Sequence, residues 1–563
     1  MEKDSYWQRY WTRRLGRRQF LRYAAGGAGT LAFLAACRQE EAAPPPQQTP
    51  AAPRAPTAGQ GGTLVLHDNG DPASFDYYKT WSYRTMIYMS MVYPKLLKFK
   101  VGPGVGPLDF DIVPDLAVAM PEQPDATTYI FKLRPAKWEN KPPLNGRALT
   151  AEDVVKNWDR FKAEHPNRSL LVDVDRVEAT APDTVRFVLS RPLGPFINHI
   201  GHQGMFYIMP YELFGTGQLE KDMWSAGPFL FRGYQVGAEV RFEWNPNFYI
   251  PDRPRPNTVI YRLIPDTSTT ISQLRTKQID SLAWTAVVGA KDLSSLKSDL
   301  PGATFTPYDV QGNSWIGFDL RDPVFQDKRV RQAISMAINR DDLVKVSEEG
   351  RWALPYGVLD KWYFDPKKNE FPNARYYQYN LNEAKALLQA AGHTRLGPYD
   401  MIASAVWTPE QLQTAQLIQQ QLRAVGIETN LKQLPFAEYY AQTVIGGRWQ
   451  GAIAVSSNLV GADPNEYFSL LWNPDSPRLI APGLEPILRQ DTELMSAIER
   501  QRREVDPNRR REAIREVVNI MADRMYNVPH VVPRQYHVHQ ANVYELHWIF
   551  TYAQEYLLDA FKA

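Results

Sequence analysis

The chain of 563 residues contains one cysteine, Cys37. A single thiol excludes an intrachain disulfide, and it excludes metal and dithiol redox sites built on cysteine. Long apolar runs are lacking as well. The stretch 23–36 is rich in Gly and Ala and falls short of the roughly 20 residues that a membrane-spanning helix needs. Nor does one charge dominate. Lys and Arg number 64 against 62 Asp and Glu, so no electrostatic footprint for nucleic acid is expected. Catalytic signatures are missing in turn: there is no His-Glu-x-x-His, no Gly-x-Ser-x-Gly and no Gly-x-x-x-x-Gly-Lys-Ser/Thr. Ser294-Ser295-Leu296-Lys297 matches Ser-x-x-Lys, but no Lys-Thr-Gly accompanies it, and the flanking "AKDLSSLKSDL" reads as a solvated surface segment. The expectation is a protein that is not an enzyme and carries no cofactor.

What is present begins at the N-terminus. The short apolar stretch fits a signal-peptide h-region preceded by a basic n-region. Arg17-Arg18-Gln19-Phe20-Leu21-Arg22 resembles a twin-arginine export signal, which is a receptor-read address and not an anchor. Leu34-Ala35-Ala36-Cys37 resembles a bacterial lipobox, in which the cysteine is lipidated and becomes the first mature residue. Residues 1–37 are therefore expected to be a twin-arginine and lipoprotein signal, cleaved just before Cys37. Residues 38–60, rich in Pro and Ala, cannot bury a core and read as an extended tether. The globular part is expected outside the cytoplasm, held near the outer face of the membrane by a lipid and not embedded in it.

Further on, "TLVL" at 63–66, "TYIFKLR" at 128–134 and "TVRFVL" at 184–189 alternate as strands do. Between the last two lies a helix that Thr150 and Asp153 open as a capping box, with Val154, Val155, Trp158 and Phe161 as its apolar stripe. A hairpin is expected around Gly237. The second half is more helical, with Val330, Ile334 and Ile338 at spacing four, Thr408-Pro409 opening a helix that Gly426 closes, and Asp506-Pro507 opening another. Interleaved strands and helices imply α/β lobes.

Several segments, taken in order, carry a resemblance along nearly the whole mature chain. They include "GGTLVL…DPASFD" at 61–76, "TYIFKLRPAKWEN" at 128–140, "LTAEDVVKNWDRF" at 149–161, "SAGPFLF…EVRFEWNPNFY" at 225–249 and "FQDKRVRQAISMAINRDDLV" at 325–344. The chain resembles the extracytoplasmic solute-binding proteins of ABC importers, in the oligopeptide/dipeptide/nickel-binding class called family 5. That resemblance implies an α/β, two-lobed periplasmic-binding-protein fold of class II type, with an extra domain inserted in the first lobe. The division it implies is 61–95, 195–312 and 530–563 for lobe I, 96–194 for the insertion and 313–529 for lobe II. It also implies a monomer that traps a solute between its lobes and passes it to permease subunits. An oligopeptide carrier of the same family is the alternative. From other classes, an envelope hydrolase or a ligand-sensing receptor is a further one.

Ligand-facing residues in the family come from three stretches, which here read "KTWSYRT", "SLAWT" and "VSSNLVGADPNEYF". They put forward Trp81, Tyr83, Trp284, Ser457, Asn458 and Asp463, with Trp315 and Trp407 as further aromatic candidates. Peptide-binding relatives carry Gly-Trp and then an Asp before the acidic-Pro pair, and that Asp meets the peptide ammonium. Counting back from Pro464, those positions hold Ser456, Ser457 and Val460. Asp463, beside Pro464, suits the turn. A buried ammonium without a counter-charge is unfavourable, so an oligosaccharide or other uncharged solute is the expected cargo. His530, His537, His539 and His547 cluster late in the chain, but without a third ligand in the pattern they read as ordinary strand and loop histidines, and no metal is expected.

Overall fold

Leu64 and Leu66 point inward from the strand Thr63–Asp68 and are fully buried. In the computed structural model, which describes residues 55–563 apart from 81, 283–287, 311, 347–348, 405–408, 445–446, 459–460 and 551–556, that strand lies parallel to Thr258–Leu263. Antiparallel Glu239–Trp244 and Phe229–Gln235 complete a four-stranded sheet. The two form the expected hairpin, and Gly237 takes a φ of +67° at its turn, a backbone conformation that favours glycine.

Between the parts of this first sheet, the chain builds a separate antiparallel one from Glu122–Asp125, Thr128–Lys132, Thr184–Leu189 and Val174–Ala181. Helix Ala151–Glu164 packs on it. The Thr150 amide donates to Asp153 at 2.9 Å, closing the expected box, and Trp158 stacks on Phe161 with centroids 5.2 Å apart. Val155 is only half-buried, at the margin of the apolar stripe.

A third sheet of five strands comes from residues 313–529. Its order is Ile427–Gln433, Leu396–Ala403, Ile453–Asn458, Asn313–Phe318, Asn527–Pro529. The first three are parallel, and Asn313–Phe318 runs against its two neighbours. The carboxyl ends of four strands and the amino end of the fifth therefore share one edge. Helix Pro507–Arg524 begins as expected, with Asp506 accepting from the Asn508 and Arg509 amides at 3.0 Å each. Gly426, at φ +88°, ends the turn after helix Pro409–Arg423, while Thr408 lies outside the described residues. The apolar stretch through Ile338 is broken into helices Lys328–Ala337 and Arg340–Val346. Asn339 lies between them, its side chain bonded to Asp342, which competes with continued helix.

The chain crosses to and from this third sheet between Asp309 and Asn313 and between Pro529 and Val531. Strand Val531–His539 serves both sides: its start pairs with Gly350–Trp352 and its remainder with Thr304–Asp309. At this junction Asp309 accepts from Arg351 at 2.6 Å and from Arg534 at 3.0 Å. Two bodies of α/β structure joined by two short crossings make a two-lobed fold.

Candidate functional site

In α/β sheets, ligands bind beyond the carboxyl ends of the parallel strands. Here that edge carries Ser404, Ser457 and Asn458, with Asn313 beside them. Antiparallel register sets Asn313 opposite Asn458 and Trp315 opposite Ser456, so these four share one face, while Ser457 and Ser314 occupy the other.

Asn458 and Trp315 meet directly: the indole N–H donates to the Asn458 side-chain oxygen at 2.6 Å. Both are buried, and Trp315 packs against Trp449 with centroids 5.6 Å apart. Gly317 makes that packing possible, since a Cβ there would run into the Trp315 ring. Ser457 is half-buried. Tyr83, also half-buried, opens helix Tyr83–Val92 in the other body.

Asp463 sits in a buried ion pair. Its side chain caps helix Pro464–Leu471 through the Asn465 amide at 2.9 Å, and Arg510 grips both oxygens at 2.8 and 2.5 Å. Asn198 donates to it at 2.8 Å. Burial alone would raise its pKa, but the Arg510 guanidinium and these donors hold the carboxyl far below the usual carboxylate range. Trp81, Trp284, Trp407 and Val460 lie outside the described residues, as do Arg17, Arg18 and Cys37.

One residue at this edge was not singled out from the sequence. Asn313 is fully buried, and among the described residues neither its amide nitrogen nor its oxygen has a partner. Such a group is costly unless something satisfies it. Only the register reveals it, because an asparagine after Gly312 reads equally well as a turn. Of the late histidines, His537 bonds to the Ser281 hydroxyl and the Leu282 carbonyl at 2.9 and 2.8 Å. Among the described residues, no group of three His, Cys, Asp or Glu could hold a metal ion, and no helix is long and apolar enough to cross a membrane.

A two-lobed α/β molecule with a polar strand edge beside its crossings is the build of a solute-binding protein. The model of the bacterial extracellular solute-binding proteins, family 5 Middle, matches residues 111–477, and the chain belongs to that family. It is 25% identical over 455 residues to the dipeptide-binding protein of Escherichia coli K12, covering 74% of this chain and 79% of that one. It is 27% identical over 412 residues to di/tripeptide-binding protein 2 of Pseudomonas aeruginosa, covering 68% and 74%. The fold matches Helicobacter pylori DppA in complex with the peptide STSA at a TM-score of 0.72 and 21% identity, covering 90% of this chain and 99% of that one. It also matches AgaA of A. tumefaciens in complex with agropinic acid, at a TM-score of 0.70 and 20% identity, covering 89% and 99%. The protein is a solute-binding receptor of an ABC importer.

Proposed function

We propose that the chain is the membrane-tethered capture subunit of its importer, and that its cargo carries no free ammonium group at the recognised end. Capture works by population shift: the cargo stabilises the closed arrangement of the lobes, and the closed form docks on the permease. No bond is made or broken.

The observation that carries the cargo reading is the commitment of Asp463. It is the one acid in "SSNLVGADP", and its carboxylate is engaged by Arg510 and Asn198. Val460 stands where the family resemblance implies an ammonium-binding Asp. The amide of Asn313, which can both donate and accept, suits hydroxyls or neutral amides. An oligosaccharide or other uncharged polar solute fits these groups best. The two complexes above hold a peptide and agropinic acid on the same fold, so the fold leaves the cargo class open.

A second reading has its own support, since the relatives at 25% and 27% identity are named for di- and tripeptides. Calorimetry separates the two. Unblocked di- and tripeptides are expected to show no measurable heat, while neutral oligosaccharides, or ligand recovered by native mass spectrometry, bind and are released unchanged. Submicromolar binding of unblocked peptides would overturn the first reading in favour of the second, and turnover of the bound solute would overturn both.

A further inference from the structure

We infer that Asn198 and His199 form a latch that sets the cargo loop from the opposite lobe, acting as positioning residues for capture. The inference rests on the capture reading above, with residues 313–529 moving as one lobe.

Helix Phe196–Gly201 packs on Leu97–Phe99, Ile112–Pro114 and Arg168–Leu171, away from the five-stranded sheet. Two successive residues of it reach the 313–529 segment. Asn198 donates to Asp463, and the His199 Nε2 atom lies 3.2 Å from the Asn465 amide nitrogen. His199, Asp463, Asn465 and Gln501 are all fully enclosed.

The direction of this network follows from one residue. Arg510 can only donate. Its Nη2 atom therefore faces the Gln501 side-chain oxygen, at 3.2 Å. That leaves the Gln501 nitrogen to donate to the Asn465 oxygen, at 2.8 Å. The Asn465 nitrogen is then turned to His199, so Nε2 accepts and the ring proton of the neutral imidazole sits on Nδ1. Nδ1 points toward the Glu466 carboxylate, 3.8 Å away, and His202 faces the same carboxylate at 3.8 Å from its other side. The Asn198–Asp463 bond and the Gln501–Asn465–His199 chain thus converge on a single guanidinium.

The latch holds the loop that follows strand Ile453–Asn458. One end of that loop is Asn458, bonded to Trp315; the other is Asp463. Between them Gly461 lies against Glu466, and a Cβ at 461 would collide with the carboxylate. Moving Asn198 and His199 away removes the contacts that the other lobe makes at the Asp463 end of this loop, while Arg510 and the Asn465 amide keep their hold on the carboxylate. The charged partners Asp463 and Arg510 stay together on one side of this contact. Buried Asp173 adds ion pairs across the same interface, with Arg502 at 2.7 Å and Arg503 at 2.8 Å, which also part on opening.

Lobe separation can be read without cargo. Nitroxide labels at Val236→Cys and Tyr379→Cys, both exposed, in a Cys37→Ser background report the distance between the lobes by pulsed electron resonance. Asn198→Ala and His199→Leu are expected to lower the closed-to-open ratio by about two- to ten-fold, the weight of one net hydrogen bond. His199→Gln, whose side-chain oxygen can accept from Asn465, is expected to restore it. Equal distributions in all variants would overturn the inference. So would His199→Gln behaving like His199→Leu, because that result assigns the ring to packing alone. Should His199→Leu fail to fold, the half-buried Asn198 carries the test by itself. Since no cargo is present, failure here leaves the capture reading standing, and calorimetry decides that separately.

Discussion

The indole of Trp315 and the side-chain oxygen of Asn458 are joined at 2.6 Å across two strands, at the edge where parallel strands end. Both residues are buried, so the bond forms where water cannot replace it. Trp315→Phe keeps most of the ring packing and removes this donor from Asn458. We expect a loss of about 0.5–1.5 kcal/mol, the net worth of one hydrogen bond. Urea unfolding would show it as a lower midpoint with an unchanged slope. A double variant with Asn458→Leu should lose less than the two single losses added together. Full additivity would mean that the pair is not coupled.

A larger effect is expected at Asp463 and Arg510. Removing either partner leaves a buried charge unpaired, which typically costs about 3–5 kcal/mol. Asp463→Asn and Arg510→Met should each destabilise the protein strongly, and the double variant should be milder than the single losses added together. The carboxyl is held well below its unfolded value. Its contribution is therefore complete above about pH 4, the ordinary Asp value, and fades only as pH falls below it. An Asp463→Asn variant as stable as wild type at pH 7 would refute this.

Mild acid should act instead through buried histidines. Burial, with the Arg340 charge as a lesser cause, pushes His530 down to about 3. Burial, with His547 as a lesser cause, pushes His539 down to about 4. The unfolded chain takes up these protons near pH 6.5 and the folded chain does not. Stability from these groups is thus fully present above pH 6.5 and is lost as pH falls toward 4. The loss is about 1.4 kcal/mol per pH unit for each histidine. Melting temperatures measured from pH 8 to pH 4 should fall below the upper value, and His530→Leu should flatten the fall. A slope unchanged in that variant would show that His530 takes up its proton without opening the fold.

What was legible in the sequence follows from the range of the physics involved. Thr150 with Asp153, and Asp506 with Pro507, act within one helical turn and could be read from neighbouring residues. Gly237 announced its hairpin in the same way. The break at Asn339 was hidden because a regular apolar spacing runs through Ile338, and the competing side-chain bond to Asp342 becomes visible only in three dimensions. At the site, family position points to Asn458 and Trp315 enters only as a further aromatic candidate, but their bond depends on strand register. The partners of Asp463 lie 47 and 265 residues away, beyond any local pattern. Asn313 belongs to the same class, since its enclosure is a property of the sheet.

The remaining prediction concerns Cys37, placed after Leu34-Ala35-Ala36 and before a Pro- and Ala-rich segment. A lipidated cysteine followed by a solvated tether would hold the capture subunit several tens of Å or less from the bilayer. Cys37→Ser removes the attachment point without touching the globular fold. In cell fractionation the wild-type chain should remain with membranes after a high-salt wash, whereas the variant should appear in the soluble extracytoplasmic fraction. Retention of the variant on membranes would show that the lipobox reading is wrong. Replacing Arg17 and Arg18 by Lys keeps the charge but alters the twin-arginine address, so export itself should fail and the precursor should accumulate inside the cell. Normal export of that variant would assign the chain to a different route while leaving the anchoring test intact.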